Sequence, residues 1–101
     1  MQVKITIKAT KVFKKWFYDL KDYEVVAAIR HRIENIKFGN FGDFKKVQGA
    51  KGIFELRLHL KAGYRIYYVY ENNTVIILLS GGKKSEQDRD IEKAKILKEC
   101  I

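Results

Sequence analysis

Hydrophobic and polar residues alternate at the start of the chain, where Val3, Ile5 and Ile7 interleave with Gln2, Lys4, Thr6 and Lys8. A period of two puts the apolar side chains on one face, so a strand is expected over residues 2–8. The period then lengthens. Phe13, Trp16, Phe17 and Leu20 recur at helical spacing behind Thr10, whose hydroxyl suits a helix N-cap, and predict a short amphipathic helix over Lys11–Leu20. A second helix is predicted from about Asp22, with Val25, Val26, Ile29, Ile33 and Ile36 on one stripe. Arg30, Arg32, Glu34 and Lys37 fall outside that stripe, and the helix should end before Gly39. Together the two read as a helical hairpin.

Gly39-Asn40-Phe41-Gly42-Asp43 interrupts the helical period with turn-forming residues, and Phe44–Val47 leads through Gly49 and Gly52 back to alternation. A loop of this kind beside charged residues is often functional. Three strands are predicted next, Ile53–Leu60, Tyr64–Glu71 and Thr74–Ser80. The last two are joined by Asn72-Asn73, a pair that tolerates the positive φ of a tight turn. Ser85 or a neighbour is expected to cap a final helix to about Glu99, with Ile91, Ala94 and Leu97 as its apolar stripe. The order β-α-α-β-β-β-α segregates helices from strands and predicts an α+β fold with a mainly antiparallel sheet. At 101 residues, without repeats, linkers or proline, the chain reads as one domain over 1–101.

Charge sharpens this picture. Lys and Arg number 21 against 12 Asp and Glu, a formal net charge of +9 that favours polyanions or an acidic protein partner. One cysteine, Cys100, excludes an intrachain disulfide and a zinc site built on cysteines; near the C-terminus it reads as a solvent-edge residue in a reducing compartment. The strand-like N-terminus does not read as a secretory signal, and no apolar run approaches the ~20 residues of a bilayer span. A cytoplasmic protein with no membrane partner is expected. His31 and His59 lie in unrelated elements without ligand-spaced carboxylates, so neither a metal nor another cofactor is expected. Gly81-Gly82-Lys83-Lys84-Ser85 has a superficial likeness to a phosphate loop but lacks the Walker spacing.

Strand parity gathers the candidate chemistry. Phe54, Leu56, Leu58 and Leu60 take one face of the first hairpin strand, leaving Glu55, Arg57 and His59 on the other. Tyr64, Ile66, Tyr68 and Tyr70 claim the apolar face of the next and send Arg65 and Tyr67 to the polar one. With Lys61-Ala62-Gly63 closing the hairpin, Leu60 is expected opposite Tyr64, His59 opposite Arg65 and Arg57 opposite Tyr67. Such a face suits cleavage of RNA through its own 2′-hydroxyl. That reaction needs a base for the hydroxyl proton, cations for the phosphorane and an acid or cation at the leaving 5′-oxygen. Arg57 and Arg65 fit the phosphate oxygens, Glu55 or His59 the base, and Tyr67 a donor. Lys45, Lys46, Lys83 and Lys84 would close a cationic wall. Ordinary solvated strand residues show the same alternation, and that reading stands beside the catalytic one.

Trp16-x-x-x-Leu20, Gly39-Asn40-Phe41-Gly42-Asp43, Glu55-Leu56-Arg57, Gly63-Tyr64-Arg65-Ile66-Tyr67-Tyr68 and Gly82-Lys83-Lys84-Ser85-Glu86-Gln87, followed by Asp90-Ile91 and Ala94, form an ordered series. That series resembles the addiction-module killer proteins, the phage-derived, HigB-like branch of the RelE/ParE toxin superfamily. The resemblance implies a RelE-like α+β toxin: an N-terminal helical hairpin packed on a mainly antiparallel sheet, with a C-terminal helix. It implies a type II toxin–antitoxin module with a helix-turn-helix antitoxin as partner. It further implies a metal-independent mRNA endoribonuclease, an mRNA interferase acting on mRNA in the ribosome. By position, Arg65 matches the phosphate-stabilising arginine, Arg57 a basic strand position, and Lys84 the basic residue after the last strand, with Gln87 following. Lys83 departs from the pattern, since many relatives carry Asp there. The superfamily also includes ParE-like gyrase poisons, and a non-catalytic antitoxin-binding module is the third expectation.

Overall fold

The computed structural model describes residues 4–101, so Gln2 and Val3 of the expected first strand lie outside the described residues. The chain runs through β1 (Thr6–Ala9), α1 (Lys11–Asp19), α2 (Tyr23–Ile36), β2 (Phe44–Lys46), β3 (Phe54–Leu58), β4 (Tyr64–Glu71) and β5 (Val75–Lys83). One turn of 3₁₀-helix, Lys84–Glu86, then leads into α3 (Gln87–Glu99). The α+β expectation holds, with one strand more than the alternation predicted: β2 is three residues long, too short to show a period.

The first two helices begin where the sequence says they should. Thr10 Oγ1 accepts from the Phe13 amide at 3.0 Å and donates to the Leu79 carbonyl at 2.6 Å, so the cap of α1 also fastens that helix to β5. Asp22 caps α2 through the Glu24 and Val25 amides, at 3.0 and 3.3 Å. Its other oxygen takes Lys61 Nζ at 2.6 Å, and that hydrogen bond, ahead of the backbone ones, holds the carboxyl below its usual range. Ser85 does not cap α3. It lies inside the 3₁₀ turn, and Glu86, the residue before α3, makes no side-chain capping bond.

All five strands form one sheet in the order β1-β5-β4-β3-β2, antiparallel except for the parallel pair β1–β5. The helical hairpin covers one face, where Phe13, Val25, Ile29 and Ile36 pack on Leu56, Leu58, Ile66, Tyr68, Ile76 and Leu78. On the other face α3 brings Ala94, Ile91 and Leu97 onto Val47, Ile53, Tyr67, Val69 and Leu79. The hairpin register differs from the expected one by two residues. Leu58, not Leu60, stands opposite Tyr64, which sets Arg57 against Arg65 and Glu55 against Tyr67. A shift of two preserves which face each side chain takes, so the parity reading survives the correction. The loop is longer than expected because the chain spends 59–63 on it, turning through positive φ at Lys61 and Gly63.

Strand β5 runs three residues beyond its expected end at Ser80. A bulge explains the lost pattern: Tyr67 pairs with Ser80 but Tyr68 with Leu78, so Leu79 is the extra residue and the parity of everything after it is reversed. Gly81 and Gly82 therefore belong to the sheet, with Gly81 opposite Ile66 and Gly82 opposite Arg65.

Candidate functional site

Glu55, Arg57, Arg65 and Tyr67 share a face, as strand parity required, but it is not an open surface. The start of α3 closes over it and leaves Glu55 1% exposed, Arg65 5% and Tyr67 0%. The solvated-strand reading is corrected for these three, and so is the picture of one exposed cationic face. Burial pushes the Tyr67 hydroxyl well above its ordinary range, with the charge of Glu55 adding to it, so this phenol keeps its proton. Its oxygen, Glu55 Oε1 and Arg65 Nε are buried with no hydrogen-bond partner among the described residues. Glu55 Oε2 meets Gln87 Nε2 at 3.4 Å and Arg65 Nε at 3.9 Å, and Oε1 meets Lys45 Nζ at 3.9 Å. These are long approaches for charged groups, leaving a buried carboxylate and guanidinium loosely held.

Toward solvent the packing tightens. Arg57 and Arg65 are direct cross-strand partners, a placement that repels unless each charge is offset. Glu55 answers Arg65, and Asp43 answers Arg57: Asp43 Oδ1 accepts from Arg57 Nε at 3.1 Å and Nη2 at 2.8 Å. Asp43 Oδ2 bonds His59 Nε2. The His59 contact, then the Arg57 one, holds the Asp43 carboxyl below its usual range. The Asp43 loop is itself clamped. Arg32 of α2 donates to the carbonyls of Phe41 (3.0 Å), Asp43 (2.9 Å) and Arg57 (2.7 Å), and Gly42, at φ +64°, lets the loop lie against that guanidinium.

The lysines divide. Lys45 pairs with Glu55 across β2–β3 and stands on the site face. Lys46 is opposite Phe54, on the helical-hairpin side, and so does not close the wall as expected. Lys83 is likewise opposite Tyr64, away from Arg65. Lys84 stays with the site: its amide donates to Gly63 at 3.0 Å, which sets its side chain beside the 59–63 loop. The structure thus gathers Glu55, Arg57, Arg65, Tyr67, Lys45, Lys84 and Gln87 around the start of α3, with His59 at the rim. Asp43 and Arg32 were not foreseen as members. The signals for Asp43 were its place at the end of a glycine-broken loop and that loop's place in the ordered motif series, and Arg32 gave none beyond lying off the apolar stripe.

Residues 15–99 match the family described as Phage derived protein Gp49-like (DUF891). The chain belongs to that Gp49-like family. A Haemophilus influenzae protein called only an uncharacterized protein is 48% identical to the Gp49-like chain over 93 residues, 92% of each. Among solved structures, a free-state arginine-to-alanine double mutant of the Escherichia coli toxin RelE superposes with a TM-score of 0.72 at 15% identity. The match covers 93% of this chain and 96% of that one. The intact E. coli RelBE toxin–antitoxin complex contains a chain that superposes with a TM-score of 0.63 at 18% identity, over 78% and 95% of the two chains. The Gp49-like chain therefore has the RelE fold, as the ordered motifs implied. No helix among its described residues is long and apolar enough to cross a membrane.

Proposed function

We propose that the chain is the toxin of a type II toxin–antitoxin pair, and that it cleaves mRNA on the ribosome by attack of the 2′-hydroxyl, without a metal. The observation that carries this reading is the pair of arginines directly opposite one another, each offset by its own carboxylate, beside Lys84 and His59. Two facing guanidiniums repel and call for a carboxylate each, and their combined field is what the charge of a phosphorane needs. In the reaction the 2′-oxygen bonds to phosphorus as its proton leaves to a base. The bond to the 5′-oxygen breaks, and that oxygen takes a proton, leaving a 2′,3′-cyclic phosphate and a 5′-hydroxyl. Arg57, part-exposed, would contact the non-bridging oxygens, and Arg65 would reinforce their field from behind. Lys84 would stand at the leaving oxygen. The RelBE complex, a toxin bound to its antitoxin on the same fold, supports an antitoxin as the protein partner.

Mapping 5′ ends of cellular mRNA after induction should reveal cuts inside translated codons. Arg57→Ala should lower them about a hundredfold or more. Arg57 is the better probe, because truncating the buried Arg65 would also strand Glu55. The burial of Glu55, Arg65 and Tyr67 favours a second reading, a non-catalytic module that holds an antitoxin. Intact mRNA and no growth arrest would establish it, whereas intact mRNA with induction of the DNA-damage response would point to a gyrase poison.

A further inference from the structure

We infer that Asp43 is a positioning residue that fixes His59 as the general base, an assignment that rests on the ribonuclease reading. An ionised carboxylate only accepts hydrogen bonds, and Asp43 is held below its usual range by the contacts it makes with His59 and Arg57. The Nε2 atom of His59 must therefore carry the proton shared with Asp43 Oδ2. In the neutral ring the lone pair then lies on Nδ1, which has no hydrogen-bond partner among the described residues. His59 is the first residue after β3, 65% exposed at its side chain, where an RNA strand can reach it.

The other candidate base is worse placed. Glu55 is 1% exposed beneath α3, so a 2′-hydroxyl cannot approach it without displacing Gln87 or Lys45. Asp43 is also set for the task from behind. Its carbonyl is taken by both Arg32 Nη2 and the Arg57 amide at 2.9 Å, so its backbone cannot swing while the side chain bridges two partners. One carboxylate thus registers the phosphate-binding arginine and the imidazole against each other, and a loose rotamer at Asp43 would disorder both. The 2′-proton passes to Nδ1, and the positive charge that forms on the ring is stabilised across the Nε2–Oδ2 contact.

The test combines a spectroscopic and a kinetic arm on the full-length purified chain. In protein labelled with ¹⁵N-histidine, the wild type should show a downfield Nε2–H resonance in water, retained in Asp43→Glu and lost in Asp43→Ala. In ribosome-bound mRNA cleavage, His59→Gln should lower kcat about a hundredfold, the ordinary scale of general-base catalysis, and Asp43→Ala about tenfold. The Asp43→Ala loss in kcat should shrink when His59 is already glutamine, leaving only the part that Asp43 exerts through Arg57. An undiminished loss in the double variant would show that Asp43 works through Arg57 or through folding, and would overturn the assignment. A resonance unaffected by Asp43→Ala would do the same. Wild-type protein that shows the resonance but cuts no mRNA would instead overturn the ribonuclease reading, and the role of base with it.

Discussion

Asp90 is 3% exposed in the second half of the first turn of α3, with Oδ2 buried and without a hydrogen-bond partner among the described residues. Burial raises its pKa, and Arg89, 3.5 Å from Oδ1, only partly opposes that. A carboxyl whose folded pKa lies above its unfolded one stabilises the fold most when protonated. Its contribution is full below the unfolded value and is lost as pH rises through the folded one. Asp90→Asn should therefore raise the melting temperature at neutral pH, and the gain should shrink as pH falls through the carboxyl range. A gain that persists in acid would mean that packing, not charge, is responsible. The sequence disclosed which residues share the Glu55 face, because parity is a local property. It did not disclose their burial, since the Ile91-Ala94-Leu97 stripe says that α3 must dock but not onto which face of the sheet.

Among the elements, the 39–43 loop depends on α2 more than its own residues suggest. Arg32 satisfies three carbonyls from two segments with one guanidinium, and burial pulls its pKa down while Asp43 pushes back. Arg32→Ala would leave those acceptors unpaired and should cost about 3 kcal/mol, read as a lower urea midpoint at constant slope. Arg32→Lys should fall between, since an ammonium lacks the planar fork that spans carbonyls of two segments. Helical periodicity reports only the apolar stripe, so a polar residue that turns back onto a loop reads like any solvated one. The Asn72-Asn73 turn was legible, and both residues adopt the positive φ expected of them, 50° and 56°. The bulge at Leu79 was not, because an inserted residue erases the alternation that would announce the strand continuing past it.

Across the whole molecule, Gly81 and Gly82 set the spacing of the three layers. A Cβ at Gly81 would lie 2.6 Å from Trp16 Cε3, and one at Gly82 would lie 2.9 Å from Asp90 Cγ and closer still to Oδ2. What looked in the sequence like an imperfect phosphate loop is a bare stretch of β5 on which α1 and α3 rest from opposite sides. Gly81→Ala and Gly82→Ala should each cost about 1–3 kcal/mol by overpacking, several degrees of melting temperature in a domain of this size. Only Gly81→Ala should perturb the near-ultraviolet signal of Trp16. If both are neutral, the layers can separate freely and the small residues serve another purpose.

The parallel pairing of β1 with β5 also bears on when the molecule comes into being. Among the described residues, Thr6–Ala9 have a sheet neighbour only in residues 75–78, nearly seventy positions later. Closing so wide a separation comes late, because loop entropy is lost before the contacts reward it. A nascent chain that has not reached residue 75 has no β5 to receive β1, and no α3 to cover Glu55 and Arg65. Such a partial product holds β2, β3 and β4 but lacks the five-stranded sheet and the helix that covers the cluster. The order of the strands thus acts as a clock, because the first strand made must wait for the last before the sheet is complete.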